Sequence, residues 1–427
     1  MVNLVAKVFD GFRTEFFSDI IRRTAKIVSI NITAAVLLFA ANYFIIRFFG
    51  ESNYGAYVII NVWVGFFVTV ILFGMDDFFV AQMPRHQGQP AAIVVFKSIF
   101  TWSLRTCLVI FGVVVAVFAG LAYFNVTSGV IFQYRYYLPA LAAALGLLTF
   151  LVAFLRGMDR IIPGQLVDKI LRPSLFLAGI TAVYFLSTTS LETLLLVQLA
   201  GILACVPVLL LFIRPVLRST GGSTLFDRSG RSNVVFLAIS LLYLLSTRLD
   251  LFFLAVTIPA DEVGHYNIAA RIADFVAYPL TALNLLIPNL LSSAYHQERT
   301  SVRSLIRRLF LLTAGVMAVG FVFILLFGKI ILSFFGENFE SSYVPLLILA
   351  GGHMFTAAGA PLNALFMVSG RQKLSLLSLG FGVLVTFVLC LVLVPSMGAV
   401  GAALAIAGGG VAFFIGVFYS YLKSAGS

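Results

Sequence analysis

Between residues 24 and 421 one apolar stretch follows another with only a few residues between them. Each is about 20 residues long, the length a helix needs to cross the hydrocarbon of a bilayer. Inside a bilayer every backbone N–H and C=O must find a partner within the protein, which leaves helices and closed barrels. Runs this long and this uniformly apolar lack the two-residue alternation of barrel strands, so the chain is expected to be all-α and integral to the membrane.

Twelve spans can be laid out, over 24–48, 55–82, 94–121, 135–155, 165–187, 191–213, 232–257, 264–291, 305–328, 343–368, 372–394 and 398–421. Composition agrees, because only 11% of the 427 residues are charged where a soluble domain carries about 25%. Residues 1–23 mix Phe12, Phe16, Phe17 and Ile20 with Arg13, Asp19, Arg22 and Arg23. They read as an amphipathic cytoplasmic segment rather than a cleavable signal. Cys107, Cys205 and Cys390 lie in separate apolar runs, and the four histidines have no metal-binding spacing, so neither disulfides, metal nor cofactor are expected.

Lys and Arg orient the bundle. With both termini cytoplasmic, 22 of the 28 basic residues fall on the inner side, while Glu51, Glu192, Asp261, Glu262, Glu337 and Glu340 fall on outer connections. The net charge of +11 is thus a topology signal, and nucleic-acid binding is not expected.

An internal repeat divides the chain. FGESNYGAY (Phe49–Tyr57) precedes the second span and PADEVGHY (Pro259–Tyr266) the eighth, and their glycines, Gly55 and Gly264, stand 209 residues apart. FLRGMDR and MVSGRQK follow the fourth and tenth spans, with Gly157 and Gly370 213 apart. Two landmarks at a near-constant offset imply two six-helix lobes in the same orientation, related by a pseudo-twofold along the membrane normal around a central cavity. The lobes would comprise 24–215 and 232–427, joined by a cytoplasmic linker at 216–231. Such a pair suits a transporter that rocks one lobe against the other.

Ionisable residues within spans usually face a cavity or a partner. Arg248 and Asp250 near the outer end of the seventh span share their depth with Arg271 and Asp274 on the eighth. These four are expected either to line a polar cavity or to brace the two helices as ion pairs. Arg105 is an isolated cation in the third span. Arg47, Asp76, Asp77, Lys169 and Arg172 sit near span ends, where reaching the headgroups would account for them.

The stretches "FFGESNYGAYVIINVWVGFFVTVILFGMDDFFVAQMPR", "LSTRLDLFFLAVTIPADEVGHYNIAARIADFVAYPLTALNLLIPNL", "VSGRQK" and "VPSMGAVGAALA" resemble bacterial polysaccharide (O-antigen type) flippases. Those belong to the multidrug/oligosaccharidyl-lipid/polysaccharide transporter superfamily. The resemblance implies translocation of an undecaprenyl pyrophosphate-linked oligosaccharide from the cytoplasmic to the outer leaflet of the bacterial inner membrane, for surface polysaccharide such as lipopolysaccharide O-antigen. It implies alternating access, coupling to a proton or sodium ion, and no covalent chemistry. A polysaccharide polymerase and a chain-length regulator would be partners. Arg47, Arg105, Arg248 and Arg271 become candidates for the pyrophosphate, because basic side chains in a wet cavity stabilise an anion. Asp76, Asp77, Asp250 and Asp274 become candidates for ion coupling. Twelve spans rather than fourteen separates this chain from the related lipid II flippases.

A cation-coupled multidrug exporter of the same superfamily is the nearest rival, although a cavity for cationic drugs should be dominated by acids. A membrane polymerase or glycosyltransferase is further away. Its active site would need a sizeable outer loop, and the longest here, residues 122–134, holds no acid, His, Lys or Arg.

Overall fold

In the computed structural model the backbone amides are satisfied in helices, with no strand among the described residues. Described are residues 14–86, 92–123, 129–186, 189–218, 230–275 and 299–425, together with Ile287 and Leu291. The first half of the chain forms α1 (Thr14–Phe49), α2 (Glu51–Leu72), α3 (Met75–Gln82), α4 (Ala92–Tyr123), the single turn α5 (Val130–Gln133) and α6 (Tyr137–Gly157). It continues with α7 (Ile161–Leu166), a π-helical turn (Val167–Leu171), α8 (Arg172–Phe185) and α9 (Leu191–Leu217). The second half forms α10 (Gly230–Thr257), α11 (260–275), α12 (Arg299–Ser333), α13 (Tyr343–Val368) and α14 (Gln372–Ala425). Among the described residues nine helices are long and apolar enough to cross a membrane.

The terminal helix α14 is too long for one crossing, and it turns back at Gly398 (φ 54°, ψ −127°), just after Pro395. Ser378 faces Gly416, Thr386 faces Gly409, and the Leu393 carbonyl lies against Gly401. Pairings that converge on one turn are those of two antiparallel limbs, as the separate spans 372–394 and 398–421 require. The expected eighth span is described only to residue 275, as α11.

Several expected boundaries change. The span placed at 55–82 is interrupted, because Phe73 (φ 49°) and Gly74 (φ 71°) both adopt left-handed backbone between α2 and α3. The physical reason is a neighbour: a Cβ on Gly74 would lie 2.6 Å from the Leu237 nitrogen and from the Phe236 Cβ of α10. The fifth crossing begins at Ile161 rather than 165 and carries the π turn. No break separates residues 14–23 from the first span; α1 is continuous from Thr14. Residues 1–13 and most of the linker (219–229) lie outside the described residues.

Several threonines within spans are satisfied by their own helix. The hydroxyls of Thr33, Thr69, Thr149, Thr181 and Thr386 each donate to the carbonyl four residues back, which removes the cost of placing them in oil. Ser190 caps α9, its hydroxyl accepting from the Thr193 N–H at 3.2 Å.

Helices of the first half pack around α6, which touches α2, α3 and α9, and in the second half α14 packs on α13 and α10. The halves meet along α2 and α10. Trp63 and Phe66 of α2 set their ring edges against Phe252 of α10. At the Gly55 end the two repeat glycines touch: the position a Gly264 Cβ would occupy is 3.2 Å from the Gly55 Cα. A Cβ on Gly55 would overlap the Ala260 carbonyl oxygen at 1.6 Å. Only backbone fits there.

Candidate functional site

Ala35, Leu38 and Asn42 recur at helical spacing on α1, so they form one stripe, with Phe39 beside it. On α11, Arg271, Asp274 and Phe275 are likewise three and four apart. These seven residues line one narrow pocket between the two halves, whose enclosed space of about 30 Å³ is room for little more than a water molecule. The pocket brings a first-half helix against the charged face of a second-half helix.

Asp274 is the acid of this pocket. Its Oδ1 lies 3.4 Å from His353 Nε2 of α13, and its side chain is 42% exposed, so it remains open to exchange with water or ions. Arg248 and Arg271 are both close enough to act on it electrostatically. Hence Asp274 stands within electrostatic reach of two guanidinium groups, and Asp250 shares Arg248 with it, so the cluster holds two guanidinium groups and two carboxyl groups beside an imidazole.

Asp250 is placed differently. It is 4% exposed, its Oδ2 accepts from Tyr266 Oη at 2.6 Å, and its Oδ1 accepts from the Leu251 N–H at 2.8 Å. Both oxygens are used inside the α10–α11 contact, and Asp250 does not line the pocket.

The remaining candidates are spread out. Arg47 is exposed in the last turn of α1. Arg105 is exposed on α4, on the face that also presents Leu108 and Val109, and it does not line the pocket. Asp76 and Asp77 occupy the first turn of α3, where the helix dipole favours carboxylates. Ser240 of α10 donates to Asp77 Oδ2 at 3.4 Å, and Arg156 donates to the Asp76 carbonyl at 3.2 Å. The structure therefore gathers Arg248, Arg271 and Asp274, seals Asp250 beside them, and leaves Arg47, Arg105, Asp76 and Asp77 elsewhere.

Three groups escaped the sequence reading. Histidine spacing bears only on metal binding, and helical spacing carries no signal that pairs His353 with Asp274. Asn42 is a buried polar residue in an apolar span, a signal that was available. At the Gly55 end, Glu51 Oε2 lies 2.9 Å from His265 Nε2 and accepts from Asn338 Nδ2 at 3.1 Å. Phe339 sets its edge against the His265 ring at 4.3 Å, and Phe335 packs against Phe39 at 4.8 Å. This end of the interface is closed by one carboxylate of the first half held between two side chains of the second.

No family model matches this sequence, and no curated protein matches it. Solved structures do. The lipid II flippase MurJ in an inward closed conformation superposes with a TM-score of 0.70 at 13% identity, over 93% of this chain and 87% of that one. An inward-facing multidrug resistance MATE family transporter of the MOP superfamily gives 0.69 at 15%, over 94% and 98%. A MOP superfamily transporter from Pyrococcus furiosus, described as having a binding pocket of reverse polarity that suggests a different function, gives 0.62 at 15%, over 95% of both chains. At these identities the likeness establishes the fold: the chain has the architecture of MOP superfamily transporters along nearly its whole length.

Proposed function

We propose that this chain is a flippase that carries a polyprenyl (undecaprenyl) pyrophosphate-linked oligosaccharide from the cytoplasmic to the outer leaflet of a bacterial inner membrane, for surface polysaccharide assembly. The observation that carries this reading is the charge of the pocket between the halves, where Arg271 lines the wall with Asp274 and Arg248 stands close. A guanidinium offers a fork of donors matched to phosphate oxygens, and in a site shielded from bulk water such bonds are strong. Asp274, half-exposed beside His353, is the group suited to exchange a proton or sodium ion as the cargo moves. In the orientation expected from the basic residues, the Glu51–His265–Asn338 contact would lie on the outer side. No step makes or breaks a covalent bond.

The drug-exporter reading has one observation in its favour: the fold likeness to a MATE transporter equals that to the lipid-linked flippase. Arg271 on the pocket wall counts against it, since a cationic drug would meet a like charge there. The fold also accommodates pockets of unlike polarity, as the Pyrococcus furiosus transporter's description states.

The deciding experiment uses purified protein in liposomes under an imposed proton or sodium gradient. A fluorescent polyprenyl-pyrophosphate sugar should move between leaflets, and Arg271→Gln should slow it about tenfold or more while the protein stays folded. Efflux of a cationic dye without movement of the lipid-linked sugar would overturn the flippase in favour of the exporter.

A further inference from the structure

The π turn at Val167–Leu171 inserts one residue's worth of slack into the fifth crossing, and such turns often re-aim side chains at functional sites. Here it carries Asp168 and Lys169, with Arg172 directly after it. Sequence position accounts for Lys169 and Arg172 by reach to the headgroups. The helix instead begins at Ile161, so Lys169 lies eight residues, about 12 Å, from that end.

The three charges divide unevenly. Arg172 pairs with its own turn, its Nη2 3.2 Å from Asp168 Oδ1 and its Nε donating to the Asp168 carbonyl at 3.2 Å. Lys169 is left with a neutral partner: its Nζ donates to Asn31 Oδ1 of α1 at 2.5 Å, and no carboxylate within 4 Å pairs with it among the described residues. Asn31 belongs to the α1 stripe that continues through Ala35, Leu38 and Asn42 along the pocket. Lys169 is thus held on the pocket side of α1, about 10 Å along the helix from the pocket's midpoint. An ammonium at this depth, half-buried and reached by Asp168 only at a distance while that carboxylate is in contact with Arg172, is costly unless something anionic visits it.

We infer that Lys169, steadied by Asn31 on the π turn, is a second anion-binding station, which takes the pyrophosphate of the lipid-linked cargo on its way to Arg271. This rests on the flippase reading and places a residue of the first half in it. The two cations lie on opposite halves of the chain at different depths along α1, so the headgroup passes from one half to the other as it crosses.

The test is binding of farnesyl pyrophosphate to the full-length protein in nanodiscs, followed by the fluorescence of Trp63 and Trp102. Lys169→Gln should weaken binding about tenfold, and Lys169→Arg should restore most of it. Thermal unfolding of Lys169→Gln should be unchanged or raised, since an unneutralised charge is removed; a mere brace between α1 and the π turn would lose stability in both variants. Inorganic pyrophosphate should bind at least about tenfold more weakly than the prenylated form; equal binding would overturn the assignment to a lipid headgroup. If Arg271→Gln weakens binding and Lys169→Gln does not, the second station is wrong and the flippase stands. If the wild-type protein binds no prenyl pyrophosphate, both fall.

Discussion

Asp250 and Asp274 sit on consecutive helices of the second half, and their surroundings could hardly differ more. Asp250 is closed in by Tyr266 and the Leu251 N–H, with 4% of its surface exposed. Asp274 opens on the pocket, has a histidine at 3.4 Å and shows 42% of its side chain. One carboxylate is consumed by packing, and the other is available. A charge inside a membrane protein is therefore not by itself a transport group; what decides is whether its lone pairs are already taken.

That contrast can be broken in steps. The largest expected effect is on Asp250→Ala, which leaves the Tyr266 hydroxyl buried without its acceptor and should cost about 3 kcal/mol of stability, read as a lowered unfolding temperature in detergent. A variant that unfolds like the wild type yet fails to transport would place Asp250 in the carrier path after all. Tyr266→Phe removes one hydrogen bond from the same carboxylate and should lose about 2 kcal/mol in that assay. Asp274→Asn should shift unfolding by less than about 0.5 kcal/mol, as for an open site, while the ion dependence of liposome transport disappears. Unchanged ion dependence would remove Asp274 from coupling. The smallest effect belongs to His353→Gln, which keeps a donor near Asp274 and should slow transport only about threefold, under 1 kcal/mol.

Much of the fold was legible beforehand because the bilayer limits what a chain can do. Apolar runs of span length become helices, and the turn at Gly398 was signalled by Pro395 and the short PSMG connection. The repeat carried more than its spacing suggested, for Gly55 and Gly264 meet in space at the contact between halves. The interruption at Phe73–Gly74 was not legible, because it depends on how closely α10 approaches. Nor was the π turn, which leaves the hydrophobic pattern intact and carries Lys169.

For the site, the sequence named Arg248, Arg271 and Asp274 among eight candidates and set them, with Asp250, apart from the charges at span ends. Depth along a helix can be counted from residue number, and that placed Arg248, Asp250, Arg271 and Asp274 at one level. Azimuth relative to neighbours cannot be counted, and it separates Asp250 from Asp274 and turns Arg105 to the outside.

From its amino acids alone the chain was committed to membrane-spanning helices, and its matched landmarks and basic residues gave the expectations of two lobes and an orientation, since each follows from local composition and periodicity. Which charges share a pocket, which are sealed against a tyrosine and which lysine faces the stripe of α1 were decided by tertiary packing. Those outcomes depend on distances between residues far apart in the chain, and no local rule encodes them.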